Sequence, residues 1–171
     1  MENFSNETID TNQLPQFEAV QFSVLSASYW KVIMINRVIL FLILATGLGL
    51  LLFYKKEVQS FLVEIVVLFF VLFLFSLLFN RISFKKKGFA FREHDVLFRS
   101  GTIATNTIII PYNRIQHVAL HEGLLSRYFG LAKIEIFTAG GSSSDLEVPG
   151  IAIEQAEKIK QLLMGKIQKQ L

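Results

Sequence analysis

Two apolar runs, residues 38–54 and 61–79, stand six residues apart and leave this chain few ways to fold. The first contains no charged residue, and the second only Glu64, near its start. At about 1.5 Å per residue each would extend roughly 26–29 Å as a helix, close to the thickness of bilayer hydrocarbon. A helix shared between core and water carries a polar stripe every third or fourth residue, and neither run has one. A chain of 171 residues offers too little interior to bury two such helices on every side. The connector, Lys55-Lys56-Glu57-Val58-Gln59-Ser60, is polar and long enough only for a tight turn. The expectation is a helical hairpin through a membrane, occupying residues 31–81. Glu64 fits this reading, because an acid in the first turn can lean back toward the headgroups and Lys55 or Lys56.

Charge distribution orients the hairpin. Residues 1–30 carry four acids and no base, and residues 81–171 carry thirteen bases against eight acids. Near the span ends, Lys31, Arg37, Arg81, Lys85, Lys86 and Lys87 lie on the side shared by both termini, against Lys55 and Lys56 on the loop side. The positive-inside rule then places both termini in the cytoplasm, with the chain multi-pass in the cell (inner) membrane. A cleavable signal would open on a short basic region, so the first run is expected to remain as an anchor. No cysteine is present, which excludes disulfides and thiolate zinc sites. Residues 1–30 read as a polar acidic tail, disordered over 1–16, with 17–30 lying against the membrane or the soluble domain. Tyr29 and Trp30 stand where interfacial anchors belong. Within the first span, Ala45 and Gly49 are four apart with Gly47 between them, a spacing expected to let the second span approach closely.

From Ile82 the period changes. Short β-rich runs (84–91, 96–99, 105–110, 115–120, 131–138 and 146–148) alternate with turn residues such as Glu93-His94-Asp95, Ser100-Gly101 and Pro111-Tyr112-Asn113. Strands at roughly ten-residue spacing read as an antiparallel sandwich or barrel over residues 82–171. Pro149-Gly150 is expected to end the strands. A helix follows near Ala152, with Ala152, Ala156, Ile159, Leu163 and Ile167 forming one apolar stripe that suits a lid on the open end of a barrel.

Several elements of this half coincide in order: Arg114-Ile115-Gln116-His117-Val118, then Gly123-Leu124-Leu125-Ser126-Arg127-Tyr128-Phe129-Gly130-Leu131-Ala132, then Val148-Pro149-Gly150-Ile151 before the last helix. The chain resembles the bacterial pleckstrin-homology-like (PH-like) domain of YdbS-like two-span membrane proteins. The resemblance implies a β-rich PH-like barrel of about seven antiparallel strands, partly open and capped by a C-terminal α-helix. It also implies membrane attachment, no established catalytic activity, and a larger membrane protein with repeats of the same domain as partner. Arg114, Gln116, Gly123, Arg127 and Gly130 become family-motif residues with a structural or partner-contact role. For the two arginines the expected role is structural, with the guanidinium groups tying loop carbonyls or Glu122.

The residues offer no catalytic constellation. His117 and His121 would suit a metal on a helix, but four strand residues span about 13 Å, too far for one ion. Glu93, His94 and Asp95 are consecutive in a turn and point different ways. Ser142 to Ser144 lack a nucleophile elbow, and Gly140-Gly141 lacks the Lys-Ser/Thr of a phosphate loop. The candidate for membrane-surface contact is Lys85-Lys86-Lys87 with Arg81, each base adding about 1 kcal/mol near an anionic leaflet; the same cluster also reads as a plain stop-transfer signal. The first hairpin loop, Phe91-Arg92-Glu93-His94-Asp95, holds more acid than base, which argues against specific phosphoinositide recognition. The expected function is a non-enzymatic, membrane-anchored interaction module on the cytoplasmic face, needing no cofactor or metal. Its partners would be anionic lipid headgroups and a membrane protein or a second copy, not nucleic acid. Two rivals remain: a lipid-sensing or lipid-handling domain with an apolar groove between barrel and capping helix, and a small accessory subunit of a transporter or envelope complex.

Overall fold

The structure, a computed structural model, describes residues 19–139 and 145–168. The acidic tail through residue 18, with the disorder expected for it, and the serine loop 142–144 lie outside the described residues. Two helices dominate the outline, α1 (Ala27–Tyr54) and α2 (Leu62–Lys86), joined by a 3-10 turn, Lys56–Phe61. Both are long and apolar enough to cross a membrane, and no residue in the apolar window of either is buried. The two helices are therefore not buried as a core pair within this chain, and apolar faces exposed on every side are what a lipid solvent requires. At the turn, the Gln59 side-chain amide donates to the Leu52 carbonyl (2.9 Å) and the Ser60 hydroxyl to that of Glu57 (2.8 Å). These bonds satisfy carbonyls that a helix end leaves free.

The hairpin packs through Phe41, whose ring meets Phe69 and Phe73 edge-on at 5.3 and 4.9 Å. Ala45 faces the same seam, but a Cβ added at Gly47 or Gly49 would touch nothing within 4 Å. The expected glycine-mediated approach is therefore absent within the hairpin: the bulk of Phe41 sets the helix separation and leaves the glycines unpartnered.

Both helices overrun the apolar runs. α1 starts about three turns before Val38, with Ser26 as its N-cap, and α2 continues about two turns past Phe79. Residues 84–86, expected as strand, are helical. The Phe84 ring is held by Tyr29 and Trp30 (centroids 6.4 and 5.8 Å), and Lys85 and Lys86 sit favourably at the negative end of the helix dipole.

The barrel begins at the next residues. β1 (Ser23–Val24), β2 (Gly88–Phe91), β3 (Asp95–Ser100) and β4 (Asn106–Pro111) form one antiparallel sheet in that order. β5 (Ile115–His121), β6 (Leu131–Thr138) and β7 (Leu146–Ala152) form the other, with a short helix α3 (Leu124–Tyr128) between β5 and β6. β1 precedes the hairpin and β2 follows it, yet they pair, Ser23 opposite Phe89 and Val24 opposite Gly88. The hairpin is thus an insertion between two neighbouring strands. Just beyond β1, the Ser26 N–H donates to the Gly150 carbonyl (2.9 Å), linking the first sheet to β7. At the opposite end the Tyr112 hydroxyl donates to the Arg92 carbonyl (2.6 Å), joining the β2–β3 turn to the 3-10 turn before β5.

Pro149-Gly150 does not end β7. Lys133 of β6 faces both residues, a bulge in which proline's missing N–H is harmless and Gly150 takes φ +68°. The ladder then resumes with Ile151 opposite Ala132 and Ala152 opposite Leu131. Ala152 is consequently an exposed strand residue, outside the stripe of α4 (Ile153–Gln168). Ala156 and Leu163 of α4 are fully buried, and Ile159 and Ile167 pack on the same core with Val96, Ile134, Ile136 and Val148. The lid lies closed on the barrel, so these side chains fill the apolar groove that a lipid-handling pocket there would require.

Candidate functional site

Below the membrane, α1 and α2 descend side by side onto the end of the barrel formed by β1, the start of β2, the bulge of β7 and α3. Leu25 and Val32 are buried at this joint. Here the four bases expected to contact the membrane separate into two kinds. Arg81 and Lys85, four apart and so on one helix face, are exposed, and the Arg81 guanidinium lies over the Trp30 ring at 4.9 Å. Lys86 is turned inward, its ammonium donating to the Thr102 carbonyl (2.5 Å) and pinning the β3–β4 loop. Lys87 is half-buried, and burial lowers its pKa from the ordinary lysine value. Consecutive residues at a helix end point in different directions, so this run does not form one basic surface.

The family-motif residues also divide. β5 runs from the membrane-distal end to the hairpin end, which sets Arg114 and Gln116 at its start far from Gly123, Arg127 and Gly130 beyond its finish. Gln116 is exposed at an irregularity between Ile115 and His117. Gly123 caps α3, and its carbonyl accepts from the Arg127 N–H (2.8 Å). Gly130, at φ +64°, turns the chain into β6, and its carbonyl accepts from the Ile153 N–H (3.0 Å). Among the described residues neither Arg114 nor Arg127 makes a side-chain hydrogen bond or ion pair, and both are exposed. The expected tie to loop carbonyls or Glu122 is not formed, because each side chain extends from a turn into solvent. Leu124 and Tyr128, on the same short helix as Arg127, are 86% and 82% exposed. Phe129 beside them sits under the Lys31 ammonium at 5.9 Å, tying α3 to the base of α1.

Sequence reasoning missed two clefts that share Tyr29 and Lys87. One, of about 310 Å³, rises between the helices past Ile33, Asn36, Arg37 and Asn80 to Leu40. The other, of about 560 Å³, opens on the barrel wall at Ser100, Gly101, Lys133 and Glu147. In the second, the Lys133 ammonium is bracketed by Glu135 (2.6 Å) and Glu147 (3.1 Å), and those hydrogen bonds, Glu135 first, raise its pKa. In the first, the Arg37 guanidinium donates, among the described residues, only to Asn80 Oδ1, at 3.4 Å. A faint sequence signal existed: Arg37 and Asn80 are the polar residues immediately outside the two apolar runs.

His117 lies flat on Phe137 (centroids 4.1 Å, 14° between planes), and His121 stands opposite Lys133. Among the described residues no three side chains of His, Cys, Asp or Glu converge on one point.

The order of these parts, two exposed apolar helices and then two antiparallel sheets closed by a helix, matches a family model described as bacterial PH domain over residues 31–167. The chain belongs to the bacterial PH domain family. Its relatives include two transmembrane proteins of Bacillus subtilis (strain 168). YdbS is 31% identical over 68 residues, 40% of this chain and 41% of that protein. YdbT is 34% identical over 85 residues, 48% of this chain and 17% of that protein. The matched stretches thus span less than half the length of either relative. No solved structure matches the chain. The family model begins at residue 31, so the bacterial PH domain here draws its β1 strand from residues before the matched segment.

Proposed function

We propose that this protein is a non-enzymatic interaction module, held by its hairpin in the cell (inner) membrane with both termini cytoplasmic, and working with a partner membrane protein. The observation that carries the reading is α3. It presents two exposed apolar side chains, Leu124 and Tyr128, around an unpaired arginine at the base of the hairpin. An exposed tyrosine beside an arginine is a pairing enriched at interface centres, and Leu124 widens the apolar surface around it. The tie between Lys31 and Phe129 holds that patch at a fixed place beside the bilayer, where a membrane-embedded partner can reach it. The six-to-two distribution of span-end bases supports the cytoplasmic orientation. Membership in the bacterial PH domain family, and likeness to two transmembrane proteins, support the membrane setting.

Isolation in mild detergent with tags on the intact chain tests this. The expected result is a stoichiometric membrane-protein partner that is lost when Leu124→Asp and Tyr128→Asp are combined, with membrane insertion and melting temperature unchanged. Isolation of the unaltered chain alone as a monomer, or full retention of the partner by the double variant, overturns the reading. If the partner is a transporter or an envelope enzyme, the module is its accessory subunit.

A further inference from the structure

The cleft between the cytoplasmic ends of α1 and α2 holds two cations and no acid. Arg37 and Lys87 line it with Asn36 and Asn80, and no Asp or Glu contributes to its wall. Both cations are partly buried. Among the described residues the Lys87 ammonium has no hydrogen-bond acceptor or ion-pair partner, and the Arg37 guanidinium has only the long bond to a neutral amide. Cations withdrawn from water without compensation destabilise the fold, and the depressed lysine pKa reports that cost. Basic residues serving only as a stop-transfer signal have no reason to leave solvent, and Arg81 and Lys85 do not leave it. Arg37 and Lys87 instead converge on one cleft.

Its depth in the bilayer is set by the apolar runs. Arg37 and Asn80 stand directly outside them, at the hydrocarbon boundary, while Leu40 lies inside it. Lys87 lies roughly 10 Å further toward the cytoplasm along α2. The headgroup layer is roughly 5–8 Å thick on each side of the membrane. The cleft therefore spans the level of the lipid phosphates, with Leu40 above and cations at and below that level.

We propose that this cleft binds the phosphate headgroup of an anionic lipid. Arg37 and Asn80 hold the phosphate at the hydrocarbon edge, Lys87 neutralises the headgroup from below, and Leu40 lines the path of the first acyl carbons. The neighbouring cleft on the barrel wall is a poorer site, because Glu135 and Glu147 already neutralise its Lys133. The proposal is separate from the protein-partner reading, for it uses no residue of α3.

The test uses the full chain in detergent and native mass spectrometry with phosphatidylglycerol, phosphatidylcholine and soluble glycerol 3-phosphate as probes. One phosphatidylglycerol should stay bound where phosphatidylcholine does not. Arg37→Gln with Lys87→Gln should weaken that retention about thirtyfold. Lys85→Gln, which removes an exposed charge outside the cleft, should leave it unchanged. Asn36→Asp, at an exposed position on the cleft wall, gives an independent variant that keeps both cations and adds a repelling carboxylate; it too should release the lipid. A response to phosphatidylglycerol but not to the soluble ester assigns the site to lipid. An equal response to both, abolished by the same substitutions, assigns it to phosphate esters generally and overturns the lipid assignment. Retention that survives both sets of substitutions, or that falls equally in Lys85→Gln, overturns the site.

Discussion

Gly150 shows how much a single residue holds in place. It sits at φ +68° in the β7 bulge, with the Tyr29 ring where a Cβ would project, and its carbonyl accepts the bond from Ser26 that links the two sheets. An alanine there meets two penalties: the left-handed backbone, about 1–2 kcal/mol, and overlap with the near end of the Tyr29 side chain, which must shift to admit it, about 1–3 kcal/mol. Gly130 has nearly the same φ, but open space where its Cβ would point, so it meets the first penalty alone. Gly150→Ala is therefore expected to lower unfolding stability by about 2–5 kcal/mol and Gly130→Ala by about 1–2 kcal/mol. Thermal unfolding of the two variants in the same detergent measures this, and equal losses would show that Tyr29 does not press on Gly150. The glycine itself was visible in the sequence and read as a strand terminator. Its partner was not, because Tyr29 lies more than a hundred residues away and reads locally as an interfacial aromatic.

Among the elements, β1 departs furthest from what local sequence suggests. Two residues of strand would not persist alone; they do so here because the chain leads straight into α1 and because Leu25 is buried at 4% exposure in the barrel core. Leu25→Ala is expected to cost about 2–5 kcal/mol and to expose the β2 edge, whereas Val24→Ala, at a position 78% exposed, should stay within about 0.5 kcal/mol of the unaltered chain. Chemical denaturation with amide exchange at Phe89, the residue opposite Ser23, reads both effects. Unchanged protection at Phe89 in Leu25→Ala would mean the seam is closed by something else. The two spans were legible for a simple reason: lipid demands apolar side chains on every face, and a chain of 171 residues has no interior large enough to demand the same. Their extensions beyond the apolar runs were not, since Phe84 and Val32 are covered by partners that local periodicity does not reveal. The strands from β3 to β6 followed turn chemistry within a residue or so, while β7 outran its Pro-Gly signal because a bulge absorbs both residues.

For the whole molecule, the consequence of inserting the hairpin between paired strands is that no linker separates anchor from domain. α2 passes into β2 across Lys87 alone, and α1 enters from β1 across two residues. The barrel is held at one depth and one rotation below the bilayer, which suits it to present α3 and the inter-helix cleft at fixed positions. Because the chain has no cysteine, its topology can be measured with single introduced thiols. Ser60→Cys in the connecting turn is expected to react with an impermeant maleimide in intact cells whose outer barrier is open. Ile103→Cys, at a position 90% exposed on the β3–β4 loop, should react only after the membrane is permeabilised. The reverse pattern would turn the molecule over and take the cytoplasmic reading with it. The amino-acid order alone settled the hairpin, the antiparallel strands, the capping helix and the family, because solvent type, turn chemistry and helical period act over a few residues at a time. Only the folded chain decided which lysines face water, that Arg114 and Arg127 stand at opposite ends, and that Arg37 and Lys87 share one acid-free cleft. Those relations depend on side chains brought together from distant parts of the sequence, and no local pattern encodes such a meeting.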